Sequence, residues 1–287
     1  MLLPTLIGGI TLGFLYGLIA LTLILLVRTT GVLNFAAADL GMFCAFIAFV
    51  GIVQWQLPTG VALVLTAFAT IALGAIIYVA IILVRPADPL MLSLRTLGLF
   101  IIIKALSYKL WGANSPYTFP HIVPNGSVSV FGFNVSYVQA MVIVLTIIVA
   151  VVVSVITEKT RIGLMLRAVS ADRDAASDLG APVVRVDLVA WCLATLIAGI
   201  VGVLVAQLFF LAPDMMQPVL LAGFAAAQLG DMQNIRVALL GGLALGLIQS
   251  ASSVYLNQPE WSQILAFAAL ALGLLIRGRI RRRVIVT

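Results

Sequence analysis

The chain has 287 residues, of which 63% are hydrophobic and only 9% charged, against about 25% charged in an average soluble domain. That leaves too little polar surface to solvate a globule, so a soluble enzyme is excluded and the solvent is lipid. The net charge of +6 would point to nucleic acid in a soluble protein, but here the basic residues sit at the ends of apolar stretches. They report orientation, and no nucleic-acid partner is expected.

Apolar stretches that end at polar, proline or charged residues lie near 5–27, 33–53, 58–84, 93–111, 137–156, 187–211, 218–235, 237–256 and 262–277. They predict an all-α polytopic bundle of about eight to nine crossings, filling 1–287 as a single transmembrane domain. The first stretch lacks a basic leader and continues to Val27, too long for a signal-peptide core, so it reads as a retained helix. Gly8, Gly9, Gly13 and Gly17 in it, and Gly241, Gly242 and Gly246 much later, follow the small-xxx-small spacing that lets helices approach closely. Cys44 and Cys192 fall inside apolar runs and read as small buried hydrophobes.

In the second stretch, Asn34 reads as a helix cap or a solute contact. Asp39, an acid inside a span, reads as a gate or pathway residue or as half of a structural ion pair. Lys104 in the fourth span either snorkels or pairs with an acid on another chain, while Lys109 snorkels to the interface beside Trp111. Tyr16, Trp55, Trp111, Trp191 and Trp261 read as interfacial aromatics. The loop 112–136 contains no Lys, Arg, Asp or Glu but has Pro116, Pro120, Pro124 and Asn125-Gly126, the marks of a compact external hairpin. His121 within it has no second ligand nearby; no metal or cofactor is expected.

The segment 158–186 is the longest polar stretch. Ile162, Met165, Leu166 and Val169 recur at helical spacing, Ser170 is placed to cap a second helix, and Gly180 with Pro182 stops it. Two short amphipathic helices follow, either a solvated connector or a docking surface. Further on, Gly223, Gly230 and the polar residues Gln228, Asp231, Gln233 and Asn234 interrupt 218–235. That segment reads as a broken crossing helix or as a short span followed by a turn. The run Phe35 to Gly41 is echoed by Phe224 to Gly230 at six of seven positions, which marks either two halves of a pathway or a coincidence in an Ala/Gly/Leu-rich chain. With the N-terminus outside and the C-terminus cytoplasmic, 14 of the 16 basic residues, including Arg277 to Arg283, fall on the inner side.

Thr160 to Ala168, followed by Asp172-Arg173-Asp174-Ala175-Ala176 and Leu179-Gly180, resembles the cytoplasmic coupling motif of the permease family of ATP-binding-cassette importers for branched-chain amino acids, urea and short amides. Gly13 to Leu21, Asn34-Phe35-Ala36 with Asp39, and Leu240 to Gly246 agree in collinear order. The chain departs from the family at Ala37-Ala38, where members carry His-Gly, and at Gln228 to Arg236, where they have a Gly- and Pro-containing turn. The resemblance implies a permease subunit of an importer in the inner, cytoplasmic membrane. Its partners would be a companion permease, identical or different, two cytoplasmic ATPase subunits and a soluble substrate-binding protein, in the lipid bilayer. It implies ATPase coupling through Arg161, Gly163, Arg167, Asp172, Arg173, Ala175 and Gly180. The interrupted spans add a translocation pathway at Asn34, Asp39, Gln228, Asp231 and Asn234. No Gly-Lys-Ser or Gly-Lys-Thr phosphate loop occurs, so no catalytic residue is expected and ATP hydrolysis belongs to a partner. The competing reading is a gradient-driven secondary transporter or channel, with Asp39, Lys104 and Asp231 as ion sites.

Overall fold

The structure, a computed structural model, describes residues 2–83, 88–112, 115–124, 126–130 and 133–255, with isolated helical positions at 264, 268 and 271. The rest of the expected span at 262–277, and with it Arg85, Asn125, Trp261 and Arg277 to Arg283, lies outside the described residues. The chain runs α1 (Leu2–Thr30), α2 (Ala37–Phe49, continued by a wider turn over Val50–Gln54), α3 (Thr59–Ile77, continued likewise over Tyr78–Leu83) and α4 (Pro89–Trp111). A two-stranded antiparallel hairpin follows, β1 (Ser127–Val130) and β2 (Phe133–Ser136), within the 112–136 loop. Then come α5 (Tyr137–Lys159), α6 (Arg161–Ala171), α7 (Arg173–Asp178), α8 (Val183–Leu208), α9 (Gln217–Leu229) and α10 (Ile235–Tyr255). Among the described residues, seven helices are long and apolar enough to cross a membrane.

A helix that is apolar on every side must be enclosed by protein or by lipid. α1 is enclosed by protein, packed against α10, α8, α9 and α5, with Leu15 to Leu26 almost wholly buried. The glycine pattern explains its approach to α10. Gly9, Gly13 and Gly17 face Leu247, Leu243 and Leu239 in turn, so the helices are antiparallel, and a Cβ on Gly242 or Gly246 would strike the backbone of Gly13 or Gly17. α8 is the second central helix, against α2 and α3. By contrast α3, α4 and α5 leave Phe68, Ile101, Ile102 and Val151 exposed on their outer faces, as helices fronting lipid or another subunit do.

The two ends of the bundle are distinct. At one, Leu211 bridges Tyr117 and Gln207 bonds to Pro120 O and Ile122 N, which ties the 112–136 loop to the chain after α8. At the other sit α6, α7 and the turn before α10.

Two aromatic expectations are corrected. Trp191 and Tyr16 are core residues rather than interfacial ones; both lie on helices enclosed by protein, and the Tyr16 hydroxyl donates to Gln249 Oε1 at 2.5 Å. Trp55 is exposed, while Trp111 stacks on Phe46 at 4.5 Å between centroids.

Candidate functional site

The segment α6–α7 is built by local rules. The Thr160 side chain caps α6 by accepting from Gly163 N. α7 is capped by Asp172, whose Oδ1 accepts from Ala175 N at 2.9 Å, and not by Ser170, which instead meets Arg28 Nε. The reason is position: a carboxylate immediately ahead of the helix reaches its third N–H group. Gly180 at φ 84° then ends α7. Gly163 sits where a Cβ would strike the Ile156 and Thr157 carbonyls, so only glycine lets α6 lie against the end of α5. Leu166, Val169 and Ala176 turn inward. Ile162, expected on that inner face, is exposed with Leu164 (61%) and Leu179 (89%).

One residue fastens this segment to the bundle. Arg173 Nη1 donates to Thr29 O at the end of α1 (3.0 Å) and to Asp187 Oδ1 on α8 (3.2 Å), and Nη2 pairs with Asp187 Oδ2. Hydrogen bonding to Asp187 holds the Arg173 guanidinium further above its ordinary pKa. The Asp187 side chain is fully buried, so the pair is a two-pronged, charge-assisted link between α7 and two membrane helices. Arg161, Arg167, Asp172 and Ala175 are exposed, and Arg167 donates to Glu158 O.

The second feature is a break at membrane depth. α1 ends at Thr30 and α2 starts only at Ala37, so Asp39 stands in the first turn of α2 rather than two turns into a span from residue 33. A Cβ on Gly41 would strike Ala198, and one on Gly202 would strike Gly41. Gly202 lies 19 residues beyond the start of α8, about 28 Å along its axis, so the start of α2 lies deep in the bundle. Gly31 N still donates to Val27 O and Ala36 O already accepts from Leu40 N, but residues 32–35 between them cover the remaining depth without i→i−4 helical hydrogen bonds. Two hydroxyls of α4 replace them: Leu33 N donates to Ser93 Oγ (2.9 Å), Phe35 N donates to Thr96 Oγ1 (3.1 Å), and the one proton of Thr96 Oγ1 is shared between Ser93 O (2.7 Å) and Leu33 O (3.0 Å). Asn34 Oδ1 accepts from Ala36 N at 3.0 Å. Irregular backbone survives at such depth only where protein satisfies it in this way or where it meets water.

Above the break, Lys104 Nζ pairs with Asp214 Oδ1 at 2.6 Å, donates to Gln217 Oε1 at 3.2 Å and lies 5.4 Å from the Phe100 ring centroid. Tyr108 also donates to Asp214. Burial pushes the Asp214 carboxyl up, but the hydrogen bonds from Lys104 and Tyr108 outweigh it and hold the group below its ordinary value. Asp39 is 4% exposed, and the charges acting on it are those of Lys104 and Asp214.

The segment 218–235 is not one interrupted span. α9 has 13 residues, about 20 Å of helix against about 30 Å of hydrocarbon, and ends at Gly230 because Asp231 and Met232 adopt positive φ in the turn. Gln228 is half-buried near the end of α9. Asp231 and Asn234 are exposed in the turn, where Asn234 Oδ1 caps α10 by accepting from Val237 N. This turn borders a cleft with Arg28, Glu158 and Arg167, and Arg236 stands 3.8 Å from Glu158. The two echoed runs do meet: Phe35 and Phe224 stack at 6.5 Å. The structure thus brings Asn34 and Asp39 beside α9 but leaves Asp231 and Asn234 at the α6–α7 end. Asp214, Gln217, Ser93 and Thr96 were missed by sequence reasoning; Ser93 and Thr96, three apart on one face of α4, were the available signal.

These features define a multi-pass helical membrane transport protein with a polar, interrupted interior. The chain belongs to the family described as branched-chain amino acid transport system / permease component, whose model matches residues 5–274. The high-affinity branched-chain amino acid transport system permease protein LivH of Escherichia coli K12 is 27% identical over 94% of this chain and 91% of its own length. BraD of Pseudomonas aeruginosa, a permease protein of the same description, is 27% identical over 96% and 94%, and a probable LivH of Methanocaldococcus jannaschii 25% over 95% and 85%. Among solved structures, PsaBC from Streptococcus pneumoniae in complex with Fab shares the fold, with a TM-score of 0.50 at 11% identity, covering 93% of this chain and 88% of that one.

Proposed function

We propose that this chain is the transmembrane permease subunit of an ATP-binding-cassette importer for branched-chain amino acids or closely similar small polar solutes. It works in the inner membrane with a companion permease, two cytoplasmic ATPase subunits and a soluble binding protein. The hairpin end is external, the α6–α7 end cytoplasmic, and the N-terminus outside. Eight to nine crossings, some of them broken, make up one transmembrane domain.

The observation that carries this reading is the α6–α7 segment, with Leu164 and Leu179 open to water and Arg173 linked to the ends of α1 and α8. Exposed leucines on short helices at the polar end of a membrane bundle gain by burial in a partner. A rigid link to two membrane helices passes that partner's motion inward. Arg161, Gly163, Arg167, Asp172, Arg173, Ala175 and Gly180 form this coupling surface. ATP-driven closure of the ATPases moves α6–α7, and the bundle alternates between outward and inward openings; hydrolysis itself stays on the ATPase.

The route runs along the face formed by the break at Asn34 to Asp39, α4 and α9, and reaches the cytoplasm past Gln228, Asp231 and Asn234. Support comes from the Lys104–Asp214 pair, in which Lys104 on the α4 span is 19% exposed and Asp214 in the connector ahead of α9 is 52% exposed, since a charge on a span faces water or protein rather than lipid. Co-purification of the ATPase subunits with the tagged chain, and ATP-dependent uptake of leucine by the reconstituted complex, test the reading. Uptake driven by an ion gradient without ATP establishes the secondary-transporter alternative instead.

A further inference from the structure

We infer that a cavity at the hairpin end, between α1, α9 and α10, is the receiving site for a zwitterionic amino acid. Two glutamine amides take the solute's carboxylate, and hydroxyl oxygens with Asp214 take its ammonium. This deepens the importer reading, in which that end is external, and rests on it.

The cavity holds about 690 Å³, within the roughly 300–1,000 Å³ of small-molecule sites. Its lining runs along α1 from Gly8 to Tyr16, about 12 Å of helix axis, so it descends into the bundle from the hairpin end.

Hydrogen-bonding capacity identifies the occupant. Two amides on the wall have their oxygens taken: Gln249 Oε1 accepts from the Tyr16 hydroxyl at 2.5 Å, and Gln139 Oε1 accepts from Ser136 N at 3.3 Å. Their NH2 groups carry two donors each and have no partner among the described residues. The hydroxyls are committed the other way. Thr11, Ser250 and Ser253 donate to Ile7 O, Thr5 O and Ser250 O, which leaves their lone pairs to accept. Asp214 is the one carboxylate on the described lining, and no Lys, Arg or His lies there.

Unspent N–H donors, unspent oxygen acceptors and one carboxylate therefore face a single space. A carboxylate satisfies the donors, an ammonium satisfies the acceptors and Asp214, and Leu12, Phe210 and Val219 offer an apolar wall to the solute's side chain. An anion without an ammonium brings a second negative charge beside Asp214, and a cation without a carboxylate leaves the amide donors unmatched. Tyr16 is a positioning residue: 2% exposed, it fixes which edge of Gln249 meets the cavity. Asp214 also holds Lys104 at 2.6 Å, so the receiving site adjoins the α4–α9 face of the proposed route.

The test is protection of a thiol. Ala212, partly exposed on the same cavity, is changed to cysteine in a chain whose Cys44 and Cys192 are replaced, and the complete complex in lipid discs is treated with a charged, impermeant thiol reagent. Leucine should slow modification at position 212. Isocaproate, which lacks the ammonium, and leucinamide, which lacks the carboxylate, should not. Gln249→Glu keeps an oxygen for Tyr16 but exchanges the amide donors for a second oxygen. The leucine concentration for half-protection should then rise about tenfold or more, the scale of one charge-assisted contact, at an unchanged thermal midpoint. Tyr16→Phe should raise it by a smaller factor. Modification that ignores leucine in a complex that imports it, equal protection by all three compounds, or unaltered half-protection in Gln249→Glu overturns the site and leaves the importer reading standing. A thiol at position 212 inert to the reagent marks a cavity filled by lipid and overturns it as well. A parent complex that hydrolyses ATP but imports no leucine overturns the importer's substrate assignment, and the occupant with it.

Discussion

Arg173 offers the sharpest test of how α6 and α7 are fastened to the bundle. Its guanidinium makes the paired bonds to Asp187 and the bond to Thr29 O, and the Asp187 side chain has no exposed surface. Arg173→Ala strands that carboxylate, and removing one partner of a buried pair costs about 3–5 kcal/mol. Asp187→Asn is milder. The arginine side chain is 47% exposed, so its freed donors turn to water, and the loss should approach that of a single charged hydrogen bond, about 1.5–3 kcal/mol. Replacing both partners, Arg173→Met with Asp187→Leu, removes the stranded charge and should recover most of the stability lost in Arg173→Ala. It does not restore the link from α7 to α1, so stimulation of ATP hydrolysis by the binding protein should stay low. Thermal midpoints of the purified complex in lipid discs, with stimulated and basal hydrolysis measured on the same samples, separate the two effects. A midpoint for Arg173→Ala equal to the parent's, or normal stimulation in the double variant, refutes the tether.

Three further outcomes follow from particular contacts. Gly163→Ala drives a methyl into the Ile156 and Thr157 carbonyls and should cost about 1–3 kcal/mol, with stimulated hydrolysis falling as α6 shifts; Ala168→Gly, an exposed site on the same helix, is the control. Thr96→Val keeps the volume but leaves Phe35 N and Leu33 O without their partner, at about 1–3 kcal/mol for each group, and hydrogen exchange at the Phe35 amide should accelerate. Asp214, held below its ordinary value by Lys104 and Tyr108, contributes stability that is full above the unfolded value of about 3.9 and lost as pH falls through the lower folded value. Protease cleavage in the 209–216 loop should therefore be unchanged between pH 5 and pH 8, and rise only below about pH 4.

Much of the architecture was legible because lipid imposes simple rules. The apolar lengths located the helices to within a few residues, and the glycine spacing in α1 and α10 was visible as a packing surface before the helices were seen to meet. The two short helices of 158–186 were legible for a different reason: the spacing of Leu166 and Val169 and the stop at Gly180 are local signals, whereas their caps were not, since Ser170 was expected where Asp172 caps α7. What escaped was whatever depends on irregular backbone. Asn34 marked the place, but as a cap or a solute contact, and its apolar neighbours Leu33, Phe35 and Ala36 did not show that the chain stays non-helical until Ala37; Ser93 and Thr96, about 60 residues later, satisfy that backbone. Asp214 was overlooked because one acid in a short loop has no meaning until α4 delivers Lys104 to it. The end of α9 was misjudged because the positive φ at Asp231 and Met232 is adopted by residues that do not advertise it as glycine would.

On the proposed route the α2–α4–α9 face meets water while the outer faces of α3 and α5 meet lipid, and thiol accessibility distinguishes the two. In a background with Cys44 and Cys192 replaced, single cysteines at Leu221 on α9 and at Phe68 on α3, both exposed apolar positions, are treated with a charged, membrane-impermeant thiol reagent in reconstituted complex. Cys at position 221 should react, and react differently when the ATPases are trapped with nucleotide, while Cys at position 68 should stay inert in both states. An inert 221 beside a reactive 68 would contradict the placement of the route.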